Sequence, residues 1–283
     1  MEDLQTKHQS TSFGDIAYRE HGAGKPAVFV HGLGLSSHFW RHQIAALAGQ
    51  RRCIAPDLMA HGETQIAADQ DVSFHVQADM ILELLDKLEI EQFDLVGNDS
   101  GGAIAQLMAV KAPDRIRSLV LTNCDVQNNW PPVALGEIRE AARAGLLAAQ
   151  FSNFANEPSL FRADGSIAEL VYEDRNSATD DNIQRYLGAL VDDVDRRAAF
   201  DRYAGHQDHA QLTNIEADLR KLEAPALIVW GTDDVFFPTK WAYWLQGTLP
   251  NAREVVELEG AKLFFPEERA DTLNRHITEF WSA

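Results

Sequence analysis

The sequence predicts an open, mostly parallel α/β sheet with helices on both faces, interrupted by a helical insertion. Short continuous apolar runs alternate with helical spacing up to residue 127 and again from 216 to 283. Strands buried on both faces and joined by crossover helices read this way. From about 128 to 215 no strand-like run occurs, and the segments ALGEIREAARAGLLAAQ, IAELVYE and DNIQRYLGALVDD carry helical spacing. Between these parts the stretch Phe93 to Ala105, FDLVGNDSGGAIA, reads as a strand that turns sharply into a helix. The predicted organisation is therefore a core of 1–127 and 216–283 with an insertion of 128–215.

The elements follow in order. SFGDIAYREHG alternates Phe13, Ile16 and Tyr18 with polar residues and predicts an edge strand or hairpin. Pro26–Val30 predicts a central strand ending at His31-Gly32-Leu33-Gly34, and Ser36 a cap for a helix through Trp40, Ile44 and Leu47. Cys53-Ile54-Ala55 predicts a third strand, ending in PDLMAHGET. Ser73 can cap a helix whose Val76, Met80, Ile81, Leu84, Leu85 and Leu88 share one face. After the 93–105 stretch, Ile116–Thr122 is a strand ending in Asn123-Cys124-Asp125. Beyond the insertion come a strand at Ala224–Trp230, a helix at Thr239–Leu245, a strand at Arg253–Leu258 and a last helix over about 267–282.

The tip of the sharp turn carries the chemistry. The pattern Gly-x-nucleophile-x-Gly is met by Gly97 and Gly101 around Asp99; centring on Ser100 would put Asn98 and Gly102 in the flanks, a poorer fit. The glycines let strand and helix pass close to a strained tip. The tip aims its side chain at a helix N-terminus, whose free N–H groups stabilise negative charge.

Composition narrows the partners. The formal charge of −18 disfavours nucleic acid or an anionic membrane. No apolar run reaches the ~18 residues of a membrane span. The acidic start Met1-Glu2-Asp3 has no apolar signal-peptide region behind it, so a cytoplasmic protein is expected. Cys53 and Cys124 lie in or beside apolar runs and predict buried thiols rather than a disulfide. His38 and His42 are four apart but have no carboxylate near them in sequence, and neither metal nor cofactor is expected. A small-molecule substrate is the expected partner, and a homodimer is compatible with the sequence.

With these motifs the chain resembles the α/β-hydrolase superfamily over essentially its whole length. HGLGLSSHFWR resembles the family's oxyanion loop; PDLMAHGET resembles P-D-x-x-G-x-G-x-S with Ala60 where glycine is usual; GNDSG is the elbow; Trp230, Gly231 and Asp234 resemble W-G-x-x-D. An aspartate at the elbow is similar to the haloalkane dehalogenase and epoxide hydrolase branch. The resemblance implies that Asp99 attacks an electrophilic carbon to form an ester, with Asp234 as second acid. It implies an oxyanion or substrate-binding site made by the backbone N–H groups of Leu33 and Ser100, with His31 in the same loop.

The chain departs from that branch where leaving groups and water are handled. Ser100 and Leu33 stand where dehalogenases commonly place a halide-binding Trp and Asn, and fluoroacetate dehalogenases use Arg at the position of Ser100. Epoxide hydrolases use two cap tyrosines; Tyr172, Tyr186 and Tyr203 lie in the insertion, with packing the plainer reading of each. Leu263 occupies the position of the family's histidine, and no histidine lies between His209 and His276. Asp234 is then expected to act directly as base or to pair with Lys262. His31 and His61 read as structural, His206 and His209 as surface or packing residues that could hang over the pocket, and Asp125 as structural. Three functions are weighed: a hydrolase of a small apolar halide, epoxide or ester working through Asp99; a cofactor-independent lyase, isomerase or decarboxylase with Asp99 as acid/base; and a binding protein that kept the pocket.

Overall fold

The computed structural model describes residues 4–129, 131–205 and 210–282. The first residues form a hairpin, β1 (Lys7–Thr11) and β2 (Gly14–His21). Then come β3 (Pro26–Val30), β4 (Arg52–Pro56), β5 (Phe93–Asp99), β6 (Ile116–Cys124), β7 (Ala226–Gly231) and β8 (Val256–Leu258). They form one sheet in the order β1-β2-β4-β3-β5-β6-β7-β8, with β2 antiparallel to both neighbours and the other pairs parallel. This is the open, mostly parallel sheet that the alternation of apolar runs predicts, and it is the α/β-hydrolase fold that the resemblance implies.

The chain passes from β3 outward to β4 and then returns to β5 on the other side of β3. The strand order reverses there, and in open α/β sheets the crevice at such a point binds ligands. β5 is buried along its whole length, which accounts for its apolar run.

On the sheet faces lie α1 (Arg41–Leu47), α2 (Phe74–Lys87) and α3 (Ser100–Lys111). Ser36 does cap the turn before α1, accepting from His38 N. Ser73 occupies the N-cap of α2 without a side-chain bond there, and its own amide donates to Asp71 Oδ1. On α2, Val76 is only half-buried; Gln77 is buried beside it and holds Met59 through both amide atoms. That contact braces the PDLMAHGET turn, where Ala60 takes φ +70, a left-handed conformation natural to glycine.

Between β6 and β7 the described chain is helical: α4 (Gly136–Arg143), α5 (Leu147–Asn156), α6 (Pro158–Phe161), α7 (Ile167–Val171), α8 (Asp180–Leu187), α9 (Val194–Gly205), α10 (Ala210–Thr213) and α11 (Glu216–Leu219). The expected single segment over ALGEIREAARAGLLAAQ is two helices, broken at Gly145 with φ +71. After β7 come α12 (Lys240–Thr248), α13 (Phe265–Glu268) and α14 (Ala270–Ser282). Cys53 and Cys124 are free, buried thiols. Among the described residues no helix is long and apolar enough to cross a membrane.

Candidate active site

Asp99 ends β5 and caps α3 with φ 54 and ψ −135. A non-glycine residue held there stores strain, which is characteristic of functional positions. The turn closes because Gly101 lets α3 approach β3: a Cβ on Gly101 would lie 2.3 Å from the Val30 carbonyl oxygen. The Asp99 side chain is buried, and its Oδ2 accepts the Leu33 amide at 2.9 Å. Burial pushes the carboxyl up to about 7; the Leu33 amide opposes this, the charge of Asp234 adds to it, and the Ser100 amide again lowers it. The two backbone donors expected at the oxyanion position thus both act on the elbow carboxylate itself.

His31 is placed differently from the expectation. Its imidazole is fully buried: Nε2 accepts the Leu58 amide at 3.1 Å, so Nδ1–H donates to the Gly32 carbonyl at 2.9 Å. Burial lowers it to about 4, keeping it neutral. It braces the loop that carries Leu33 and does not line the cavity. The Ser100 hydroxyl also stays off the cavity wall, paired at 2.8 Å with Tyr203 from α9.

Asp234 has its oxygens occupied. Oδ2 accepts Asn123 Nδ2 at 2.7 Å, and Oδ1 accepts the amides of Phe236 and Phe237 at 2.7 and 3.2 Å. Burial raises its carboxyl to about 6 against these donors. Asn123 also clasps Gly231 through both its amide atoms. The expected pairing of Asp234 with Lys262 is not formed: Lys262 Nζ donates to the Glu169 carbonyl at 2.6 Å, pointing away towards α7. The physical reason is that Asn123 and two amides already solvate Asp234, while the ammonium stays half-exposed.

Leu263, expected from sequence at the position of the family's histidine, lines the same cavity as Asp99, and its carbonyl accepts Asn98 Nδ2 at 3.3 Å. The cavity is small, with a volume of about 50 Å³. The Leu33–Leu35 loop and Asp99 form its floor, Phe236, Leu263 and Phe264 one wall, and the remainder comes from residues 135–187, including Phe151, Phe161, Val171, Tyr186 and Leu187. Asp99 is the only carboxylate, and no cation is present, among these lining residues.

None of the three tyrosines offers a free hydroxyl to Asp99. Tyr172 donates to Glu267 Oε2 at 2.7 Å, Tyr186 accepts from Arg41 at 3.2 Å and is also hydrogen-bonded to Glu267, and Tyr203 is paired with Ser100. Glu267 is the centre of a buried polar cluster not evident from sequence, also bonded by Arg41 and by Asn182 Nδ2. His38 joins it through Asn182, pointing away from His42, and no metal-binding cluster occurs among the described residues. His206, His209 and Trp130 lie outside the described residues.

Residues 25–268 match the family model of the α/β hydrolase fold. The chain belongs to this family of enzymes. It is 44% identical over 103 residues to a 2-hydroxymuconate semialdehyde hydrolase of Pseudomonas sp. (strain CF600), covering 35% of this chain and 36% of that relative. The chain therefore matches about a third of that relative's length. It is 27% identical over 286 residues to haloalkane dehalogenase 2 of Mycobacterium tuberculosis (98% of this chain, 94% of the relative). It is 26% identical over 275 residues to a cis-3-alkyl-4-alkyloxetan-2-one decarboxylase of Shewanella oneidensis (94% and 84%). A solved α/β hydrolase fold protein from Burkholderia ambifaria superposes with a TM-score of 0.81 at 22% identity, over 99% of this chain and 98% of that one.

Proposed function

We propose that Asp99 attacks a saturated, electrophilic carbon of a small, neutral, apolar substrate and forms an alkyl ester with it. The contact between Leu33 and Asp99 carries this reading. The amide that would receive a developing carbonyl oxyanion already holds the nucleophile's own Oδ2 at 2.9 Å. Displacement at a saturated carbon requires no oxyanion site for the substrate, and Oδ1 is left to attack. A halide or an epoxide fits this chemistry better than an ester.

The cavity wall supports the same class of substrate. It supplies apolar area, worth about 25 cal/mol per Å² removed from water, and Asp99 is its only charge among the described residues. A carboxylate-bearing substrate would be desolvated beside Asp99 without a cation, at a cost of several kcal/mol on the order given for unpaired buried charges. The helical insertion acts as the cap of this pocket.

Leu263 favours a second reading. No imidazole lines the cavity among the described residues, so water activation is weak, and an oxetan-2-one of the kind named for the Shewanella relative reacts without any proton transfer. Asp99 attacks the ring carbon bonded to the ring oxygen, and that C–O pair leaves as a carboxylate. The bond to the carboxylate carbon then breaks, its pair forms the alkene, and Asp99 departs with the ester C–O pair, releasing carbon dioxide.

Product analysis in H₂¹⁸O tests both readings. Medium-chain epoxides, haloalkanes and cis-dialkyl oxetan-2-ones are each incubated with the protein and with Asp99→Asn. Diol or alcohol formed only with Asp99 supports the first reading. Alkene and carbon dioxide from the lactone, with no hydroxy acid formed, supports the second. Product formed equally by Asp99→Asn overturns both.

A further inference from the structure

The polar cluster around Glu267 takes no part in the chemistry above, yet it joins the insertion to the core beside the cavity. His38, Asn182, Tyr186 and Glu267 are all buried. Asn182 bridges the cluster with both ends of its amide: Nδ2 donates to Glu267 Oε1 at 2.7 Å, and Oδ1 accepts His38 Nε2–H at 3.2 Å. The Tyr186 hydroxyl accepts from Arg41 and is bonded to Glu267, and Arg41 itself pairs with Glu267. Ser36 Oγ donates to the Arg185 carbonyl at 3.1 Å. Four residues of α8 are thus tied to the core.

These ties adjoin the residues that line the cavity. Ser36 follows Leu35 of the floor directly, Glu267 follows Phe264 of the wall within one turn, and Asn182 precedes Ile183. On α8, Asn182, Ile183, Tyr186 and Leu187 share one face at helical spacing, so the bonds and the lining side chains belong to one surface. α8 has only 8 residues, and a helix that short takes its place from its contacts. Its apolar contacts are non-directional; the hydrogen bonds set a distance.

The cavity left under α8 holds about 50 Å³. A water-sized group takes up roughly 10–15 Å³ on this scale, which leaves room for about four heavy atoms. Asp99 and Tyr186 are the only lining side chains with polar atoms among the described residues, and Tyr186 turns its hydroxyl into the cluster. The walls therefore select a substrate by room and not by polar contact.

We propose that the Asn182–Glu267 cluster determines the specificity of this site: by pinning α8 to the core it restricts Asp99 to substrates of about four heavy atoms, the size of a three-carbon epoxide or bromide. The inference rests on the Asp99 reading. Longer chains reach Asp99 only in the fraction of molecules whose α8 has lifted. Asn182 is a positioning residue, acting through Ile183 and Tyr186.

The experiment compares labelling of Asp99 by bromoethane, 1-bromopropane and 1-bromohexane. In each case an Asp99 oxygen forms the C–O bond and bromide leaves with the C–Br pair. A roomy apolar pocket would favour each added CH₂ by about fourfold. The wild-type rate constant is expected instead to rise from ethyl to propyl and to fall at hexyl. In Asn182→Ala the hexyl-to-propyl ratio is expected to rise at least about tenfold, part of the roughly sixtyfold that three CH₂ groups supply at fourfold each. A loss of stability alone slows both bromides alike, so an unchanged ratio in the folded variant overturns the proposal. The wild-type series stands by itself if the variant does not fold: Asp99 labelling that climbs steadily to hexyl overturns the size limit and leaves the Asp99 reading intact. No labelling of Asp99 by any of the three bromides overturns both.

Discussion

The Leu33 amide and Asp99 Oδ2 are hydrogen-bonded at 2.9 Å across the point where the strand order reverses. The contact depends on Gly32, where a Cβ would lie 2.1 Å from the same Oδ2. One oxygen of the carboxylate is thereby fixed in a residue that lines the pocket.

Gly32→Ala should therefore displace the carboxylate. Labelling of Asp99 by an alkyl bromide is expected to slow by about 100-fold, the scale of misplacement by about 1 Å. Labelling rates at matched occupancy of the pocket check this.

The ionisation of Asp99 sets the pH dependence of the attack. With its carboxyl raised to about 7 by burial, the labelling rate should rise about tenfold per pH unit below 7 and level off above it. A rate flat from pH 5 to 8 would remove that burial from the account.

Stability should move in the opposite sense. Between about pH 4, where the unfolded carboxyl loses its proton, and about 7, where the folded one does, the folded state binds more protons, so stability falls as pH rises. Each pH unit in that window is worth about 1.4 kcal/mol at most. Asp99→Asn should thus be more stabilising at pH 8 than at pH 4, by a few kcal/mol on this order; urea unfolding at both values measures it.

Leu263→His would place an imidazole on the wall facing Asp99. The ester left by a bromide should then clear faster, by a factor approaching the roughly 10²–10⁴ of general-base help. Decay of the adduct mass with time gives the rate. Asp234 would need to release Asn123 to orient the new ring, so Asn123→Ala in the same background should raise it further.

Glu267 joins Arg41 of the core to Tyr172 and Asn182 of the insertion. Glu267→Ala leaves the half-buried Arg41 without its carboxylate, a change worth at most the about 3–5 kcal/mol of a fully buried pair. Urea unfolding should report that loss, with the double change Glu267→Ala/Arg41→Met milder because it removes the stranded charge.

Much of this molecule is legible in its sequence. The strands declare themselves because parallel strands buried on both faces are continuous apolar runs, and the elbow because Gly97 and Gly101 bracket Asp99. The break at Gly145 carried a signal too, a glycine inside an otherwise helical pattern. Ala60 shows the opposite case, a left-handed position filled by a residue that gives no such signal. The partners of Asp234 were not legible. Asn123 and the Phe236 amide lie 111 and 2 residues away, and only the fold decides that they, and not Lys262, reach its oxygens. Glu267 likewise looks like one acid among many until α13 is folded against Asn182 of α8.

Intact-mass analysis of the wild-type protein after exposure to a 1-bromoalkane, with the modified peptide sequenced, tests the central claim most directly. The predicted result is a single alkyl group, stable over hours, on the peptide carrying Asp99 and absent from Asp99→Asn. An alkyl group on another residue, or an unmodified protein after prolonged exposure with no alcohol released, would contradict attack by Asp99 on a saturated carbon.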